Sequence, residues 1–130
     1  LKEHEVYIEY VRFKDTWDKN SGYKYMAYIF KPNQPDPSIV NLFDEKALKN
    51  LIENSKDISS IYSKRGSRAV GASQLSVRDS IFKMVWHPLK NNLQSVENIY
   101  YSPDGLLHQI SFTGLKNTEN KYISNEYNLS

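Results

Sequence analysis

The stretch Ile99–Leu115, IYYSPDGLLHQISFTGL, constrains the fold more than any other. It holds two short apolar runs joined at Ser102-Pro103-Asp104-Gly105. Pro103 fixes its own φ, Asp104 can bond forward to the backbone, and Gly105 accepts a positive φ without a steric penalty. Ile99, Tyr100 and Tyr101 enter the turn as a strand. Leu106 and Leu107 leave it, and Ile110 and Phe112 continue an inward-facing alternation. The expectation is a β-hairpin, or a tight strand–turn–strand, beginning at Val96.

The rest of the chain supplies the layers around that turn. Glu5–Phe13 alternates Val6, Ile8 and Tyr10 against Tyr7, Glu9, Val11 and Phe13. Apolar groups on both faces predict a strand covered on each side, as in an α/β sheet. Asn20-Ser21-Gly22 is a turn signal, and Tyr23–Lys31 follows as a second strand, antiparallel to the first. Trp17, in the loop between them, is expected to lie over one sheet face. Pro32, Pro35 and Pro37 forbid regular structure, and Ser38–Phe43 is a third, β-branched strand. Asp44 is placed as an N-cap with Glu45 in the first turn. Ala47, Leu48, Leu51 and Ile52 then form an apolar stripe on a helix running to about Asp57. Ser59–Ser73 has no clean period and reads as a mobile loop. Gln74–Asn92 is a second helix, with Val77, Ile81, Met84, Val85 and Leu89 on one stripe, widened by Phe82 and Trp86. Pro88 removes a backbone donor and should bend or end it. Thr113–Asn120 reads as a polar loop, and Lys121–Leu129 as a last strand needing neighbours outside this segment. The fold class is therefore α/β: a mixed sheet of five or six short strands with two or more packed helices, in a single domain over residues 1–130.

Composition excludes several functions. The 130 residues contain no cysteine, which removes disulfides, thiolate metal sites and a cysteine nucleophile from this chain. Seventeen basic and fifteen acidic residues are too balanced to point to a nucleic acid or a membrane surface. No apolar run approaches the ~18 residues of a membrane span, and Leu1–Tyr10 has no signal-peptide pattern. Both ends look cut, so the chain is expected to be a piece of a longer protein.

Several of these residues resemble the N-terminal half of CHAT domains, the caspase-like modules usually appended to TPR repeats. The likeness lies in the apolar-aromatic strand before Ser102-Pro103-Asp104-Gly105, the Leu106-Leu107-His108 after it, and Ile110-Ser111-Phe112. Val85-Trp86-His87-Pro88-Leu89 resembles the family's Trp-x-Pro-Leu helix end, at a similar distance upstream. Val6–Phe13 and Met26–Lys31 look like its opening strand pair, and Lys121–Ser130 like its next strand. The resemblance implies the non-catalytic, regulatory half of a cytoplasmic cysteine protease. Its implied partners are the catalytic half of the same domain, the upstream TPR repeats and a protein or peptide ligand. The alternative is a free-standing protein-binding module, using exposed tyrosines and the Lys64–Arg68 loop.

No catalytic, cofactor or metal residue is assigned. The family's catalytic His precedes a Gly, whereas His4, His87 and His108 precede Glu5, Pro88 and Gln109. Ser102, Asp104 and His108 can be drawn as a triad, but turn chemistry explains the first two, and His108 reads as a structural residue. Lys64, Arg65 and Arg68 read first as a solvated loop, then as a nicking site, and last as a nucleic-acid contact, for which three charges near Tyr62 are thin support. Gly66 to Ser73 lacks the lysine of a phosphate-binding loop. Asp and Glu are too scattered for paired-carboxylate chemistry or metal ligation. Trp86, Phe82 and Ile81 read as core on the sheet that contains Ile99–Tyr101.

Overall fold

The alternation in the first forty residues becomes a meander of three antiparallel strands. In the computed structural model, which describes residues 1–14, 16–17, 22–53, 72–117 and 119–130, these are β1 (Glu5–Lys14), β2 (Tyr23–Phe30) and β3 (Ser38–Asp44). Tyr7 pairs with Phe30 and Tyr10 with Ala27. Tyr28 pairs with Ile39, and the β2–β3 register shifts between Tyr25 and Met26. Asp44 closes β3 and a helix starts at the next residue, so strand runs directly into helix. This helix, α1, occupies 45–53. Its predicted extension to Asp57 lies outside the described residues, as does most of the Ser59–Ser73 stretch with Lys64–Arg68.

The second helix, α2, spans Ala72–Val85. Its stripe is buried at Val77, Ile81 and Val85, with Phe82 and Trp86 beside it. Pro88 acts as expected: the α-helix stops, and a 3-10 turn over His87–Asn92 carries the proline in its first positions and buries Leu89. Proline at the first helical positions forgoes a donor that would be unpaired in any case.

The chain then returns to the open side of β1. β4 (Asn98–Ser102) runs parallel to β1, pairing Val6 with Ile99 and Glu9 with Ser102. A two-residue β5 (Asn128–Leu129) adds parallel to β4. The result is an α/β fold whose described residues form one mixed sheet of five strands in the order β3-β2-β1-β4-β5.

The hairpin expected after Ser102 does not form. Asp104 caps a 3-10 turn over Gly105–Gln109, and a second one covers Phe112–Gly114, within the stretch expected to be strand and polar loop. Leu107 and Phe112 are buried, but as knobs on tight turns. The long final strand is also replaced. Lys116 and Tyr122 form an isolated bridge, Ile123–Asn125 is a 3-10 turn, and only Asn128–Leu129 pairs. Apolar residues three apart satisfy a 3-10 turn as well as an irregular strand, and the sequence pattern does not separate them.

One face of the sheet holds the core. Val6, Ile8, Tyr10, Tyr25, Ala27, Ile29 and Ile99 are all buried there, together with Leu48 of α1 and the stripe of α2. The Tyr10 hydroxyl donates to the Val85 carbonyl at 3.1 Å, tying the sheet to the end of α2. Trp86 packs on Phe112 and Tyr127, with ring centroids 6.3 and 6.1 Å away. The opposite face was expected to be covered too. Among its described residues none is buried: Tyr7, Val11, Met26 and Tyr28 are partly exposed, and Phe30, Ile39 and Tyr100 are exposed. Trp17 is 96% exposed and covers neither face.

Candidate functional site

Two groupings bring polar and aromatic side chains together at the margin of the core. The first closes the carboxyl ends of β1 and β4. The last paired residues there are Glu9 and Ser102, and beyond them the backbone N–H of Arg12 donates to Asp104 Oδ2 at 2.9 Å. Asp104 thus extends the ladder with its side chain after β4 has turned away. Its Oδ1 accepts from the Gly105 N–H at 2.9 Å. Gly105 sits at φ 54°, and an added Cβ would meet Tyr25 Oη and lie 2.6 Å from Arg12 Cδ. Only glycine tolerates both the dihedral and the contact.

Arg12 holds this corner together. Its Nε and Nη2 donate to the two carboxylate oxygens of Glu45 at 2.9 and 3.0 Å, and its guanidinium lies 3.4 Å from the Tyr23 ring centroid. Two parallel N–H bonds to one carboxylate give both strength and orientation. Tyr25 Oη donates to Glu45 Oε1 at 3.1 Å and accepts from the Leu106 N–H at 3.0 Å. The Arg12 bond, helped by Tyr25, holds the Glu45 carboxyl below its ordinary range, against the opposing effect of burial. The arrangement joins β1, β2, α1 and the turn after β4. Every acidic oxygen in it already accepts from a neighbour, so it is built to hold position rather than to move a proton.

The drawn triad does not assemble. Asp104 is engaged by two backbone N–H groups, Ser102 lies at the end of β4, and His108 is exposed. His4, at φ 66°, accepts from the Glu97 and Asn98 N–H groups through its carbonyl, and its Nδ1 lies 2.8 Å from the Ser95 carbonyl. It fastens the entry of β1 to the loop before β4.

The second grouping is a cavity of about 150 Å³ between the end of α2 and the C-terminal 3-10 turn. Phe82, Trp86 and Tyr127 supply its aromatic wall, with Ile123 below. His87 and Lys90 stand on one rim, Glu119 and Glu126 on the other. Asn117 shapes the acidic rim: its Oδ1 accepts from the N–H groups of Glu119 and Lys121 at 2.9 and 3.0 Å, and its Nδ2 donates to Glu126 Oε1 at 2.7 Å. Burial raises the Tyr127 hydroxyl above its ordinary pKa, as it does that of Tyr10.

No protein-family model matches the chain, and no curated protein matches its sequence. Among the described residues no group of three or more His, Cys, Asp or Glu side chains could hold a metal ion, and no helix is long and apolar enough to cross a membrane. Both the Arg12–Glu45 pair and the cavity were missed in the sequence. Asn117, two residues before Glu119, carried an Asx-turn signal that could have located the acidic rim. Arg12 and Glu45 carried none, because only the β1–β2–β3 meander brings them together.

Proposed function

We propose that this chain is the non-catalytic scaffold of a caspase-like (CHAT) cysteine protease, acting in the cytoplasm and joined to TPR repeats. In this reading it supports the sheet of a catalytic half and contributes to the surface that receives a protein or peptide. The observation that carries the proposal is where the resembling residues sit. Trp86, Leu89, Ile99, Leu107 and Phe112 come from two separate stretches and belong to one core. They are thus a folding unit with no reactive group among them, as a supporting half requires. A mixed α/β sheet with β1 and β4 parallel at its centre agrees with that assignment. The outer edge of β5 is where a further strand would join, since unpaired N–H and C=O groups of an edge recruit partners.

A second reading, a free-standing binding module, draws on one observation. β5 is already paired inward, with Asn128 N–H donating to the Glu97 carbonyl at 2.8 Å and Ser130 N–H to the Ile99 carbonyl at 2.9 Å. Sedimentation of the isolated chain separates the two. The scaffold reading predicts concentration-dependent self-association that Leu129→Pro abolishes, and no peptidase activity at any concentration. A strict monomer would favour the binding module.

A further inference from the structure

The cavity beside Trp86 combines features that neither reading of the chain uses. It is walled by three aromatic rings, its rim is charged, and its two sides come from segments some thirty residues apart. Its volume of about 150 Å³ matches a group the size of benzene. Trp86 and Phe82 are 3% and 6% exposed, so their rings form a floor fixed by the core rather than a surface patch. Trp86 and Tyr127 meet at 54°, giving two walls that are not coplanar. The lining carries two carboxylates, Glu119 and Glu126, against one ammonium, Lys90, and Glu119 Oε2 also lies 3.7 Å from Lys121 Nζ in an exposed pair that solvent weakens.

These features select a ligand chemistry. Aromatic faces present the negative part of their quadrupole and attract cations, most strongly when water is excluded. An anion would meet those faces and two carboxylates unfavourably. A bare metal ion is disfavoured as well, because the described carboxylates do not form a cluster able to hold one. A neutral apolar guest would gain the rings but draw nothing from the carboxylates on the rim. We propose that the cavity binds a small organic cation, an alkylated or methylated ammonium group, over Trp86 and Tyr127 with its charge turned to Glu119 and Glu126. Asn117 fixes the position of this rim through its three bonds, so the site is preformed. Lys90 stands on the opposite rim and limits occupancy to groups that keep their charge away from it. The cation is carried either by a free small molecule or by a methylated lysine side chain of a peptide.

The test uses the intact chain with Trp17→Phe, so that Trp86 is its sole tryptophan. Tetramethylammonium is titrated against Trp86 fluorescence, with tert-butanol as the neutral analogue of similar shape and acetate as the anion. The expected result is saturable quenching by tetramethylammonium with Kd on the order of 1 mM, and at least tenfold weaker response to the other two. Glu119→Gln and Glu126→Gln should each weaken binding about fivefold, Glu119→Gln with an unchanged melting curve. Glu119→Gln is the cleaner of the two, because its carboxylate makes no bond to Asn117. Tyr127→Leu should weaken it further. A trimethyllysine peptide binding more tightly than tetramethylammonium identifies a peptide as the source, and choline binding more tightly identifies a free molecule. Equal binding of tert-butanol, or binding unaffected by both glutamine variants, would overturn the proposal.

Discussion

The two faces of the sheet carry similar side chains and have opposite fates. One packs Val6, Ile8 and Tyr10 under α1 and α2 to near-zero exposure, while the other leaves Phe30, Ile39 and Tyr100 at 39%, 59% and 40%. Both faces are aromatic and β-branched, so composition does not separate them. The crossover does. Chain passing from β3 back to β4 puts α1 and α2 on the same side, and the Tyr10–Val85 bond and the buried Leu48 record that choice. On the open face the side chains pair with one another instead: Tyr7 donates to Glu9, and its ring lies 5.9 Å from Phe30. Burial is decided by where the helices land, and strand alternation only nominates candidates.

The difference can be broken or sharpened by substitution. Trp86→Ala removes the ring on which Phe112 and Tyr127 both pack, and should cost about 3–5 kcal/mol in chemical denaturation. An unshifted midpoint would remove Trp86 from the core. Gly105→Ala forces a side chain into a positive φ and against Tyr25 and Arg12, for a cost of about 2 kcal/mol. Tyr10→Phe keeps the ring and loses the bond to Val85, so about 1 kcal/mol should go, with no change in denaturant slope. Ile39→Ser, on the open face, should stay within about 0.5 kcal/mol of the parent. A cost as large as that of Trp86→Ala would mean that this face is covered after all.

The Arg12–Glu45 corner should respond to pH. Glu45 has a folded-state pKa below its ordinary value of 4.5, with the Arg12 bond as the main cause. Its carboxylate therefore stabilises the fold above that value, and the contribution is lost as pH falls through the lower, folded-state pKa. Urea midpoints measured from neutral pH downward should decline in that acid window. In Glu45→Gln that part of the decline should disappear and the neutral-pH midpoint should drop. An acid limb identical in parent and variant would contradict the Arg12–Glu45 account.

Much of the first half of the fold was legible. β1, β2 and β3 follow the alternation to within about a residue of the expected bounds, and Pro88 ends α2 as its missing donor requires. After Ser102 legibility fails. Asp104 and Gly105 favour a turn, and that much is correct, but they do not specify what the turn leads into. Here the bonds from the Gly105 and Arg12 N–H groups hold Asp104 inward, and the chain coils into 3-10 turns instead of reversing as a strand. The same limit hides the sites. Arg12 and Glu45 are thirty-three positions apart, and Phe82 and Glu126 forty-four, so only the finished topology brings them together.

The scaffold proposal is tested most directly by the mass and reading frame of the native gene product. The account predicts a polypeptide that continues past Ser130 and supplies a His-Gly and a later Cys at strand ends, with peptidase activity that the isolated chain lacks. A native protein that ends at Ser130, folded and inert toward peptides, would contradict it and leave the binding-module reading in its place.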